Sequence, residues 1–355
     1  MKYAIGIIIA LLLIAGGWFL VNQNTPSSNS TVNTEKDSLV IATSVYPLEF
    51  IFTEIAGEYA DVVNVGAGAD PHDFQPTTQN IATLNGADLV ALQGADLEPW
   101  GEKISAQLAT AGVPVFVATK DIALHAFEED GHEEHDEHGD EHHDEEGHDE
   151  HHDEETHKED DHDDHGDEHH DEEEHDEHED EHAHGEFDPH VWLDPVLLSE
   201  VVGHATEALT DVDPAHTSKY ESNAQELQVK LGVLHSEYEA TLSRCTLDEV
   251  ITSHDAFGYV ADRYDIEIHS IGGLSTQDTP SAVILAELKE EAEEGVGAIL
   301  LEANSVSAYG ETLARETGLQ TLSVSPIAYV SGEENYFSLM RSNLVSLSTA
   351  LQCNE

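Results

Sequence analysis

Basic residues are scarce: 12 Lys and Arg stand against 75 Asp and Glu in 355 residues, a formal charge of −63. With no basic surface to offset phosphate repulsion, a nucleic-acid ligand is excluded. Cysteine is scarcer still. Cys245 and Cys353 are the only two, and they lack the CxxC-type spacing of a thiolate metal site. In an exported chain they can close a disulfide worth ~4–5 kcal/mol in the chain-entropy model; two buried free thiols are the alternative. Large apolar residues are missing from residues 128–186, which hold 33 acids as far as Glu181, 17 histidines from His132 to His184 and one Lys. Nothing there can bury surface against the cost of chain entropy, so a disordered loop is expected. That loop carries about half of the net charge, and the remainder of the chain is acidic as well. Carboxylates kept hydrated in high salt and an ordinary acidic extracellular surface both fit this pattern.

Long hydrophobic runs are nearly absent. The exception is Ala4–Val21, 18 residues, just long enough at ~1.5 Å per residue to span a hydrocarbon core. Residues 1–21 are therefore read as a signal or membrane anchor, and the polar residues 22–38 as a tether. No clear small-x-small cleavage site follows, which favours an anchor, and no cysteine lies nearby to carry a lipid. The rest of the chain is expected outside the cytoplasm: anchored at the outer face of the membrane, or periplasmic or extracellular.

After the tether, short apolar runs alternate with amphipathic stretches. Strands are predicted at Leu39–Ser44, Val62–Ala67, Asp88–Gly94 and Val113–Ala118, with helices between them at Pro47–Gly57, Thr77–Asn85 and Trp100–Thr110. The alternation returns after residue 245, with strands at Glu249–Ser253, Ile266–Ile271, Ala298–Ala303 and Thr321–Ser325, and helices at Ala256–Tyr264, Ser281–Glu294, Tyr309–Thr317 and Glu334–Leu351. Continuously apolar, β-branched strands joined by helices imply parallel sheets covered on both faces. The expected fold is α/β: two doubly wound parallel-sheet lobes, residues 39–212 and 245–355, joined by a long rigid helix over 213–244. The histidine-rich acidic loop is an insertion in the first lobe.

Eight histidines lie outside that insertion. His72 (in GADPHDF) and His254 (in TSHDAFGY) follow predicted strand ends, where α/β sheets place their ligands, and His190 (in FDPHVWLDP) lies at the junction of the disordered loop and a helix. Three imidazoles with an open fourth position suit Zn²⁺. Asp70, Asp73, Asp188, Asp194 and Asp255 flank them and offer to orient the rings through their second nitrogens. His204, His216, His235 and His269 are read as structural, and His125 as an ordinary surface residue. Trp100 and Trp192 are read as packing residues near the cleft; Glu302, ending AILLEA, is placed to approach the cleft but is read first as a structural carboxylate. HExxH (His178–His182) and its inverse (His138–His142) occur within the insertion, but composition alone produces them there.

GADPHDFQPT, GADLEPW, DPHVWLDP, SHDAFGY and the Pro-Ser of TQDTPSA, in this order, resemble the zinc-uptake solute-binding proteins of ABC transporters from about Val40 to Leu351. The resemblance implies two α/β lobes about a rigid helix, with Zn²⁺ as transported ligand held in the cleft by His72, His190 and His254. It further implies an ABC permease as membrane partner, no enzymatic activity, and metal capture by the histidine-rich loop. A monomer is expected. Manganese-preferring relatives use an Asp near the last strand; the matching position here is Ser325, and Thr279 stands where a Glu is usual. Two rival readings remain at this point: an extracellular metal buffer or adhesin without a transporter, and a zinc hydrolase.

Overall fold

The computed structural model describes residues 38–126, 187–274, 279–302, 308–330, 332 and 334–354. The expected anchor and most of its tether, and the histidine-rich insertion, lie outside these residues. Among the described residues no helix is long and apolar enough to cross a membrane.

The first lobe is built from β1 (Leu39–Thr43), α1 (Tyr46–Ala56), β2 (Ala60–Asn64), α2 (Thr78–Gly86), β3 (Leu89–Leu92), α3 (Gly101–Ala111) and β4 (Val115–Val117). Its sheet runs β2-β1-β3-β4, with parallel registers such as Ala42 beside Val90 and Ala91 beside Phe116. β3 (LVAL) is buried on both faces, as a strand covered by helices on each side must be. β2 stops earlier than its apolar run predicts, because Asn64 Oδ1 accepts the Gly66 N–H at 2.9 Å and turns the chain. Gly66 is required at that turn: a Cβ there would lie 2.3 Å from the Ser44 carbonyl oxygen.

A 3₁₀ turn over Val191–Leu193 leads into α4 (Pro195–Val212) and α5 (Thr217–Leu242). α5 begins four residues later than the predicted 213–244 helix. The residue before a proline avoids helical backbone, and Asp213, preceding Pro214, instead accepts the Tyr220 hydroxyl at 2.6 Å and pairs with His216 Nδ1 at 2.6 Å. One face of α5 is buried through Tyr220, Ala224, Leu227, Leu231, Leu234, Tyr238 and Leu242, each leucine stabilising by roughly 2 kcal/mol. The helix packs on α1 and α4 on one side. It also meets the C-terminal helix, where the Tyr238 hydroxyl donates to the Met340 carbonyl at 2.6 Å.

The second lobe repeats the first: β5 (Glu249–Thr252), α6 (Gly258–Tyr264), β6 (Glu267–Ser270), α7 (Ala282–Glu294), β7 (Ile299–Glu302), α8 (Ala308–Thr317), β8 (Thr321–Val324) and α9 (Tyr336–Ala350). Its sheet order, β6-β5-β7-β8, is the same winding with parallel ladders throughout. α9 binds back onto the first lobe: Tyr336 stacks on Phe50 with ring centroids 4.9 Å apart, and its N–H donates to the Tyr46 hydroxyl at 3.0 Å. These ties hold the two α/β lobes against each other where a cleft between them requires it.

Candidate metal centre

Two Asp-Pro-His tripeptides fold alike. Asp70 Oδ1 accepts the His72 N–H at 3.1 Å and Asp188 Oδ1 accepts the His190 N–H at 2.8 Å. In each, proline fixes the central φ and the aspartate closes a side-chain-to-backbone turn that projects the histidine. His72 follows β2 and His190 opens the 3₁₀ turn before α4. His254 stands two residues beyond the end of β5, so the three arrive from both lobes.

They converge. His72, His190 and His254 each offer a ligand atom, and these atoms lie within 4.8 Å of one another. Ring centroids are 5.1 to 5.8 Å apart. His190 and His254 are buried, and His72 is partly exposed. His204, His216 and His235 lie elsewhere, on α4, before α5 and on α5. His125 stacks on Tyr259 and sits 3.2 Å from Asp262.

Carboxylates hold the two buried rings through Nδ1. Asp188 Oδ1 is 2.7 Å from His190 Nδ1, as its position in sequence suggests. His254 Nδ1 is held by Glu302, the last residue of β7, and not by the adjacent Asp255. Glu302 is thus a site residue that sequence proximity does not reveal. Asp194 does not orient His190 either; it caps α4 by accepting the Val196 N–H at 2.8 Å and pairs with Arg263 at 2.6 Å. Ser325 is spent on its own turn, its Oγ accepting the Ile327 N–H at 3.1 Å.

Burial sets the protonation. It pushes His190 well below the ordinary histidine value, aided by the neighbouring His254, so the ring is neutral and able to donate a lone pair. Burial also lifts Asp188 to about 7, against the His190 N–H and the charges of His125 and His254. For His254, burial lowers the value, but the hydrogen bond and charge of Glu302 outweigh it and the net shift is upward. His254 Nε2 is also 2.7 Å from the Leu274 carbonyl oxygen. A cation taking Nε2 displaces that carbonyl.

A second network fixes the His190 turn. Glu98, buried, accepts the Gln93 N–H at 2.8 Å, the Gly94 N–H at 3.0 Å and the Ser44 hydroxyl. Gln93 Nε2 then donates to the Pro189 carbonyl at 2.9 Å. Glu98→Ala, which leaves these donors unsatisfied, is expected to cost roughly 2–3 kcal/mol in urea unfolding and about tenfold in zinc affinity through the loosened turn. Both ends of the insertion meet beside the same turn: Ala126 bridges Phe187, and the Asp188 N–H donates to the His125 carbonyl at 3.0 Å. Trp192 packs near His190 at 5.1 Å between ring centroids, its indole N–H donating to the Pro326 carbonyl at 2.7 Å.

Comparison with known proteins gives a consistent result. The profile of the family described as "Zinc-uptake complex component A periplasmic" matches residues 41–350. The "Zinc-binding lipoprotein AdcA" of Streptococcus pneumoniae is 32% identical over 316 residues, covering 87% of this chain and 55% of that protein. The chain thus spans about half the length of that relative. The "High-affinity zinc uptake system protein ZnuA" of Bacillus subtilis is 31% identical over 350 residues, covering 96% of this chain and 97% of its own length. Among solved structures, Zn(II)-bound AdcA from Streptococcus pneumoniae superposes with a TM-score of 0.66 at 27% identity, over 88% of this chain and 58% of that one.

Proposed function

The chain belongs to the zinc-uptake complex component A family, and from that membership and the geometry of the cleft we propose that it is an extracytoplasmic zinc carrier. In this reading Zn²⁺ is bound by His72, His190 and His254 and handed to the permease of an ABC importer. The observation that carries it is the convergence of three imidazoles within 4.8 Å, two of them already aimed by carboxylates on Nδ1. That is the donor set and outer support of a zinc site, and its three nitrogens suit Zn²⁺ better than Mn²⁺. The permease rests on family membership alone. The anchor at residues 1–21 would keep the carrier at the membrane beside it.

The insertion supplies many weak imidazole–carboxylate sites next to the cleft, raising the local concentration of metal. Because its ends are already bridged, residues 128–186 can be removed without displacing His190. Competitive zinc titration of that shortened chain tests the proposal. One tight site is expected, abolished by the triple substitution His72→Ala, His190→Ala, His254→Ala. Equal, weak binding in both proteins would make the histidines structural and the chain a metal buffer.

A further inference from the structure

The chain leaves β8 at Val324, and residues 325–328 carry it to the first lobe. Ile327 has a left-handed backbone, φ +57°, and is fully buried. No other β-branched residue among the described ones has a positive φ, because a branched Cβ crowds the neighbouring carbonyl oxygen there. Such strain persists only where surrounding bonds over-determine it. Here they come from both lobes. On the second-lobe side Asn343 of α9, itself buried, takes both backbone groups of Ser325. Its Oδ1 accepts the Ser325 N–H at 2.8 Å, and its Nδ2 donates to the Ser325 carbonyl at 2.7 Å. Ser325 Oγ in turn accepts the Ile327 N–H at 3.1 Å.

The carbonyls on either side of Ile327 serve the first lobe. That of Pro326 accepts the Trp192 indole N–H at 2.7 Å, and that of Ala328 accepts the Tyr46 N–H, at the start of α1, at 3.2 Å. Trp192 belongs to the 3₁₀ turn that His190 opens, and the two rings lie 5.1 Å apart. The Trp192 carbonyl is held from the second lobe as well, by the Tyr336 hydroxyl of α9 at 2.7 Å. The turn that presents His190 is therefore gripped across the lobe boundary through both the side chain and the backbone of one residue. A loop that merely joined β8 to α9 would reach no first-lobe donor, and nothing would then hold Ile327 in its left-handed backbone.

We infer that residues 325–328 form a strained strap that positions His190 from the opposite lobe, with Asn343 the positioning residue that anchors it. The inference rests on the zinc reading of the cleft and adds how the metal is kept and let go. While the strap is fastened, the 3₁₀ turn cannot carry His190 away from His254, which arrives from the other lobe. Ile327 relaxes once the bonds to Trp192 and Tyr46 part, so the fastened arrangement gives way as a unit and not by degrees. Parting frees the His190 turn, and the zinc leaves.

The test is the rate at which the zinc-loaded full chain yields its metal to an excess of chromogenic chelator. The slow phase that disappears with His72→Ala, His190→Ala, His254→Ala belongs to the cleft. Asn343→Ala is expected to speed that phase about tenfold, although the Asn343 amide bonds to Ser325 and not to a metal ligand. Trp192→Phe, which removes the indole N–H and keeps an aromatic ring, is expected to do the same. Once that bond is gone the strap has lost its hold on the His190 turn, so adding Asn343→Ala should then change the rate by less than about twofold. The Trp192 indole N–H supplies a second signature: its hydrogen exchange should quicken in Asn343→Ala. If Asn343→Ala does not fold, Ser325→Ala, which removes only the hydroxyl bonded to Ile327, replaces it with the same direction expected. A rate within about twofold of the unsubstituted chain, or full additivity of the two substitutions, would overturn the strap and leave the cleft intact. Absence of any slow phase from the unsubstituted chain would instead overturn the zinc reading, and the strap with it.

Discussion

Zinc affinity of the cleft is expected to fall between pH 7 and pH 6 by more than the roughly fivefold that one group titrating at about 7 produces. Two groups at the site bind protons in competition with the metal. His254 carries a raised value because the hydrogen bond and charge of Glu302 outweigh its burial, and Asp188 is held by burial at about 7. A metal requires the lone pair of His254 and the carboxylate form of Asp188, which orients His190. Each proton that must leave costs a factor of ten per pH unit once pH is below the value of its group. The sign follows: binding releases protons, so acid opposes it. His190, pushed well below the ordinary histidine value, adds no competition until the solution is more acid still. Competition against a strong chelator at several pH values reads the tight site above the weak ones. Glu302→Gln supplies the control, because without that charge His254 binds its proton less tightly. The onset of the decline should then move to lower pH while the insertion titrates as before. A decline of roughly fivefold or less would remove His254 from the binding equilibrium, and one unmoved by Glu302→Gln would do the same.

Contacts made within a few residues were legible in the sequence, and those made by strand pairing were not. An Asp-Pro-His tripeptide contains its own turn: the proline restricts the backbone and the aspartate reaches the histidine N–H two residues on. Position after a strand end then marks His72 and His254, and position at the start of a helical segment marks His190. Glu302 is 48 residues from His254, and only the β5–β7 ladder, with Thr252 beside Leu300, brings it to the ring. No local pattern contains that register. The Gln93–Pro189 bond spans 96 residues and is hidden for the same reason. Asp194 shows the opposite failure. It is near His190 in sequence, but the start of α4 needs a capping acceptor and Arg263 needs a counter-ion, and both demands are local to α4 and α6. The winding of each lobe was legible because uninterrupted apolar strands between helices leave few alternatives to a parallel sheet.

Removing the Cys245–Cys353 bond is expected to lower the unfolding midpoint by roughly 10–20 °C and to leave zinc affinity at room temperature within about twofold. The sequence left open whether these thiols pair; the structure joins them across a separation of 108 residues. A loop of that length is worth ~4–5 kcal/mol of unfolded-state entropy. The bond closes the second lobe at the entrance to β5, the strand that leads to His254. Backbone bonds surround it: the Thr246 and Leu247 N–H groups both reach the Leu351 carbonyl, at 3.2 and 3.1 Å. Beside them Gly297 runs so close to α9 that a Cβ would lie 1.8 Å from the Ala350 carbonyl oxygen. With this packing intact the folded lobe keeps its shape without the covalent link, so the loss should appear in stability and not in the cleft. Cys245→Ser with Cys353→Ser, followed by calorimetry and zinc competition, separates the two. A large fall in affinity at a temperature where the fold persists would show that the bond positions His254, and a midpoint unchanged within a degree would show that it contributes nothing to holding the lobe closed.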